Sequence, residues 1–172
     1  MGDRTYTFDA NNGLSDAAAA YAATGYAQYG GADGIVDLGG NQGATVTLPS
    51  IADSSTITPQ QPRIDAVLVI DVTAVTTSGT ASEKLILVGC NNPAFGSAVQ
   101  QLGMMEFGAA ASLEQFGGAL TPAPAAVGGS RYEVMFTNEQ NNVKYEWVKL
   151  YNVIANSGSI TYRAFIAVLP EP

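Results

Sequence analysis

The clearest rhythm along this chain has a period of two. Ile64, Ala66, Leu68, Ile70, Val72 and Ala74 fall on one side of an extended stretch; Asp65, Val67, Val69, Asp71, Thr73 and Val75 fall on the other. Side chains alternate across a strand, and β-branched residues fit a pleated surface, so this pattern predicts one long strand over residues 64–75. Lys84-Leu-Ile-Leu-Val88 is a nearly continuous apolar run, as in a strand covered on both faces. Residues 99–102 and 104–107 predict two further short strands. Tyr132, Val134 and Phe136 then alternate with Arg131, Glu133, Met135 and Thr137. Asn138-Glu-Gln-Asn-Asn142 turns the chain into residues 143–153, and Asn156-Ser-Gly-Ser159 turns it again into residues 160–169. Three strands joined by short turns predict an antiparallel meander.

The first third reads differently. Thr5-Tyr-Thr-Phe8 suits a short strand, and Asp9-Ala-Asn-Asn-Gly13 a turn. Residues 14–29 are open to two readings. Ala17 to Ala20 favour a helix that Ser15 would cap. Thr24 and Gly25 interrupt it after two turns, and Tyr21, Tyr26 and Tyr29 make no apolar stripe, which favours an extended arm. Residues 35–38 and 44–48 predict short strands about a Gly-rich turn, and residues 49–62 form a Ser/Thr/Gln/Pro connector. About eight strands without a strong helix predict an all-β fold: an antiparallel two-sheet β-sandwich or barrel. The division expected is an N-terminal arm over 1–33 and a β-sandwich domain over 34–172.

Composition narrows the chemistry. The 172 residues suit one domain with a real core, and they include no His and a single Cys. Without His there is no Ser-His-Asp triad, no Cys-His pair and no His-ligated metal. One Cys closes no intrachain disulfide. Seven Lys and Arg against fifteen Asp and Glu leave a net charge of −8, which argues against nucleic acid and against an anionic membrane surface. The acidity is concentrated early: residues 1–62 hold Arg4 alone against six Asp. No apolar run reaches the length of a spanning helix, and Met1 to Asp9 carries no signal-peptide core, so a product of the cytoplasm is expected.

The remaining constellations are bland. Asp9 to Asp16 resembles a calcium loop, but its Gly arrives one residue early and Ala20 stands where the closing Glu belongs; the stretch reads as an Asx turn. Asp65 and Asp71 share a strand face, too far apart for a glycosidase pair. Gly39-Gly40 and Gly117-Gly118 lack the residues of a phosphate loop. Cys90, closing an apolar strand, reads as a buried thiol. Tyr145, Trp147, Lys149 and Tyr151 alternate along one strand, either as a sugar-stacking row or as one wall of a core or interface.

The order of segments resembles a known family. Leu14-Ser-Asp-Ala-Ala18 leads to Ile35-Val-Asp-Leu-Gly39, then to the strand over 64–75, Leu85 to Gly89 and Asn92-Pro-Ala-Phe-Gly-Ser97. The chain closes with Arg131-Tyr132, Val148-Lys-Leu-Tyr151 and Ser159-Ile-Thr-Tyr-Arg-Ala-Phe-Ile166. This is similar to the small cement, or decoration, proteins of tailed bacteriophages. The resemblance implies a jelly-roll sandwich on the outer surface of the virion capsid, made in the bacterial cytoplasm. Its implied partners are the major capsid protein and copies of itself, as a dimer or trimer, with no cofactor, no metal and no catalytic residue. Such a protein clamps neighbouring capsid subunits and stabilises the head. Within the expected arm, Tyr6, Phe8, Leu14, Tyr21, Tyr26 and Tyr29 are the candidate contact residues, since aromatic anchors in a small-residue segment suit docking. The competing use of the same side chains is to cover their own domain. The competing function is a carbohydrate- or receptor-binding β-sandwich module of a virion fibre, suggested by the Trp147 row.

Overall fold

The computed structural model describes residues 9–39, 46–47, 56–57, 62–76, 80–96, 98–108 and 130–168. The predicted strand at Thr5 to Phe8 and the candidates Tyr6 and Phe8 lie outside these residues. A 3-10 turn, Ala10–Asn12, opens the described chain, with the Asp9 side chain accepting from the Asn11 amide at 2.9 Å. That is the Asx turn expected from the sequence.

Seven short strands come first. They are β1 (Gly13–Asp16), β2 (Gly25–Tyr26), β3 (Gln28–Tyr29), β4 (Ala32–Asp33), β5 (Ile35–Asp37), β6 (Val46–Thr47) and β7 (Thr56–Ile57). Next are β8 (Asp65–Val75), β9 (Ser82–Cys90), β10 (Gln100–Gly108) and β11 (Ser130–Thr137). A small hairpin, β12 (Glu139–Gln140) with β13 (Val143–Lys144), precedes β14 (Trp147–Ala155) and β15 (Ile160–Val168). The residues described between β1 and β2 form bends around a single bridge from Tyr21 to Ile160, with no helical turn, and Ala17 takes a φ of 60° that no helix tolerates. The helical alternative for this stretch is thereby set aside.

Two antiparallel sheets face each other. One has the order β1-β15-β8-β11, the other β10-β9-β14 with β2 and β5 sharing the outer side of β14. Taking β2 and β5 as one interrupted strand gives eight strands in chain order. The first pairs with the eighth, the second with the seventh, the third with the sixth and the fourth with the fifth. These eight strands follow the path of a single long hairpin, folded at β9–β10 and rolled so that β8 also meets β15 and β9 meets β14.

This path corrects the meander. β11, β14 and β15 alternate between sheets, because the residues between β11 and β14 carry the chain across the sandwich. Asn141 and Asn142 at positive φ (52° and 62°) make the tight turn of the β12–β13 hairpin there. Buried Asn138 ties that crossing down: it accepts from the Ile64 amide and donates to the Pro62 and Tyr145 carbonyls. The two strands expected over 99–102 and 104–107 are one, β10 (Gln100–Gly108), with a register shift between Gln101 and Gly103.

Between the sheets lie Ala66, Leu68, Ile70 and Val72 of β8 with Tyr162, Ala164 and Ile166 of β15. They meet Leu85 and Leu87 of β9, Leu102 and Phe107 of β10, and Val148 and Leu150 of β14. The face predicted for β8 holds as far as Val72. Beyond it a register shift opposite Thr161 and Tyr162 exchanges the faces, so Val75 is buried and Ala74 exposed.

The described part of the expected arm, residues 9–33, is woven into both sheets. Leu14 is fully buried in the core beside Ala27. Ser15 donates to the Tyr162 carbonyl at 2.8 Å, across 147 positions of sequence. Gly34 closes the base of a hairpin by donating to Ala27. Its lack of a Cβ is required there, because a methyl group would collide with the Leu14 backbone. The boundary expected at 33/34 therefore falls inside a sheet edge of the sandwich.

Candidate functional site

β14 carries Trp147, Lys149 and Tyr151 on its outer face, as alternation requires. Across the ladder on β9 they meet Cys90, Val88 and Ile86. On the other side Tyr26 pairs with Tyr151, their rings 5.1 Å apart and edge-on. Tyr145 does not join the row. The bend at Glu146 separates it from β14, and it packs inward with the core.

The loop after β9 folds over this face. Asn91 holds it, donating to the Lys144 carbonyl and accepting from the Glu146 amide. Phe95, at a φ of 51°, turns its ring into the cluster with Val88 and Cys90. The Lys149 ammonium sits between rings, 4.7 Å from the Tyr26 centroid and 4.8 Å from that of Phe95. Its ion-pair partner is Asp33 at 3.0 Å, which β4 presents from the hairpin inserted between β2 and β5. Burial, with lesser help from Tyr151, Asp33 and Cys90, pushes the Tyr26 hydroxyl above its ordinary pKa.

Chemically this is a filled cage. A lysine held by a carboxylate and two rings has its charge already satisfied. Phe95 and Tyr26 close over the Lys149 position of the row, while Trp147 and Tyr151 pack beside them and stay partly exposed. The sequence signal, alternation along β14, identified the row. It gave no sign that Phe95 and Asp33 would close it, since both sit in loops or short hairpins with no period.

The described candidates for contact are all engaged within the chain. Leu14 is core. Tyr21 stacks on Tyr162 at 5.1 Å, and its hydroxyl lies 2.9 Å from Ser15 Oγ while accepting from the Gln28 amide at 2.9 Å. Tyr26 covers Lys149. Tyr29 lies against Gly13, where any Cβ would strike its ring. Leu14 is buried, and the three tyrosines make these contacts within the chain while staying partly exposed. Asp16 fastens the same region, accepting from the Ala18 and Gly30 amides, and those bonds hold its carboxyl below the usual range.

The outer face of the first sheet carries a buried apolar cluster, Val67, Val69, Phe165 and Ala167, flanked by salt bridges. Arg131 clasps Asp71 through Nε at 2.6 Å and Nη2 at 2.9 Å, and Arg63 lies 3.3 Å from Asp65. Among the described residues no group of three or more His, Cys, Asp or Glu side chains converges as a metal site. A shallow apolar recess of about 390 Å³ lies at one end of this sheet, lined by Asp65, Ala66, Met135, Phe136 and Thr137. No family model, no curated protein and no solved structure matches the chain.

Proposed function

We propose that this chain is a capsid cement protein: it binds the outer face of an assembled capsid and clamps neighbouring major capsid proteins. The observation that carries the reading is the strand order. Pairs 1–8, 2–7, 3–6 and 4–5 rolled into two four-stranded sheets support the jelly-roll sandwich that the segment resemblance implies. The surface chemistry agrees. On the outer faces Arg131 is paired with Asp71 and Lys149 with Asp33, and the aromatic cage is filled by the chain's own lysine. A lattice clamp requires a rigid body repeated many times, because weak contacts gain strength when many copies engage one surface. The net charge of −8 suits a basic patch on the lattice.

The test is the copy number of this chain in purified particles, measured by quantitative mass spectrometry against the major capsid protein. A ratio within a few-fold of one to one supports lattice-wide cement. A handful of copies per particle moves the chain to a vertex or fibre and favours the receptor-binding alternative. Absence from particles overturns both.

A further inference from the structure

A two-sheet sandwich has four edges, each a row of backbone groups able to recruit another strand. Three of them here are broken. β1 is four residues long with a register shift between Gly13 and Ser15. β10 is shifted between Gln101 and Gly103. The edge made by β2 and β5 is interrupted by the β3–β4 hairpin. Bulges, brevity and interruptions are the usual guards against edge-to-edge pairing.

β11 has none of these guards. Its eight residues pair with β8 in unbroken register, from Ser130 opposite Val72 to Thr137 opposite Asp65. It contains no Pro, Gly or Lys. Among the described residues no strand pairs with its other side. Met135, at 64% the most exposed of the large apolar side chains described, stands on it.

We infer that β11 is a homodimer edge, pairing antiparallel with β11 of a second copy about a two-fold axis at Tyr132. The charge order selects both the occupant and the register. With the axis at Tyr132, Arg131 lies opposite Glu133 of the second copy, twice by symmetry, and Tyr132 lies opposite itself. Moving the axis to Glu133 sets two carboxylates against each other. Moving it to Arg131 sets two guanidiniums together. Moving it to Val134 leaves both Glu133 side chains opposite Met135, with no ion pair. Opposite charges directly across a ladder stabilise pairing and like charges oppose it.

The side chains are prepared for this. Arg131 spends Nε and Nη2 on Asp71, which fixes its guanidinium on the outer face and leaves Nη1 directed elsewhere. Tyr132 is held by an edge-on contact with Phe107, centroids 5.1 Å apart. The patch is self-complementary, as a two-fold interface requires. The joined sheet would run β1-β15-β8-β11 and then the same order reversed in the second copy. This inference deepens the self-association that the segment resemblance implies, and it stands whether or not the chain attaches to a capsid.

The test is sedimentation velocity of the full chain over a micromolar concentration series. The wild type is expected to be a dimer. Glu133→Arg sets arginine against arginine twice and should weaken the dimer about tenfold or more. Arg131→Glu should do the same, and mixing the two variants should restore a dimer, since each then faces its opposite. In a Cys90→Ser background, Tyr132→Cys should crosslink to itself at the axis; Trp147 emission reports whether that variant has folded. A monomeric wild type overturns the inference, as does a dimer indifferent to Glu133→Arg. A β11 edge filled by a different protein in particles also overturns it. Dimers in solution together with absence from particles would sink the cement reading alone.

Discussion

Glu83 makes the stability of this sandwich fall as the pH rises from mildly acidic to neutral. The side chain is fully buried near one end of the core, on β9 between Ile154 of β14 and Phe107 of β10. Neither carboxyl oxygen has a hydrogen-bond partner of normal geometry. The carboxyl presses on Gly158, where no Cβ would fit, and the Ser159 amide is close enough to favour the charged form slightly. Loss of hydration dominates and pushes the pKa from 4.5 up to about 7. The folded state therefore holds its proton where the unfolded chain has released it. Below pH 4.5 both states are protonated and the stabilising difference is fully present. Between 4.5 and 7 it is lost progressively, and above 7 it is gone. At about 1.4 kcal/mol per pH unit, that gap costs about 3 kcal/mol. Urea unfolding followed by emission of the lone Trp147, at half-unit steps from pH 4.5 to 8, should show the decline in the wild type. Glu83→Gln should flatten it, because the amide does not titrate. Equal slopes in the two proteins, or no decline in the wild type, would refute the reasoning.

Other substitutions probe the weave of the first residues and the filled cage. Gly34→Ala places a methyl group on the Leu14 backbone and should cost about 3 kcal/mol or prevent folding, read by denaturant midpoint. Deleting residues 1–34 removes β1, β2 and the buried Leu14 and Ala27, so the truncated chain should lack a cooperative unfolding transition. Asp33→Asn should destabilise more, by about 1–3 kcal/mol, than Lys149→Met, which should stay within about 1 kcal/mol. The first strands a buried ammonium, whereas the second fills the slot between the rings and leaves Asp33 half-exposed to water. Asp16→Asn should lower stability near neutrality and match the wild type once the pH falls well below 3.8, because the carboxylate bonds are present only while Asp16 is ionised.

The long strands were legible because each has one face on the core. Leu68, Ile70 and Val72 advertise β8 through their spacing, and the chain need only stay extended to bury them. Pairing partners were not legible. Nothing local distinguishes a β11–β14 hairpin from the crossing that occurs, since Asn141-Asn142 makes a tight turn for either path. The strand pairing of residues 13–37 was hidden for a related reason. Leu14 and Ala27 are isolated apolar residues among Ala, Gly and Thr, and their burial is decided by β15 and β14, which lie more than a hundred residues away. The Trp147 row was visible as an alternation, but Phe95 and Asp33 reach it from irregular backbone. Glu83 gave no signal, because a single Glu ahead of an apolar run looks like a solvated strand start.

The pairing of the first strand with the last has a kinetic consequence. The hairpin at β9–β10 brings together residues near in sequence and can form early. The closing contacts, such as Gly13 with Phe165, span almost the whole described chain, so their loop entropy must be met before they repay anything. During synthesis β1 waits without a partner until β15 has left the ribosome, although every strand between them is already present. Folding should therefore finish slowly and after translation, with the β9–β10 hairpin assembled first. The free edges of that intermediate are the period of greatest exposure to aggregation.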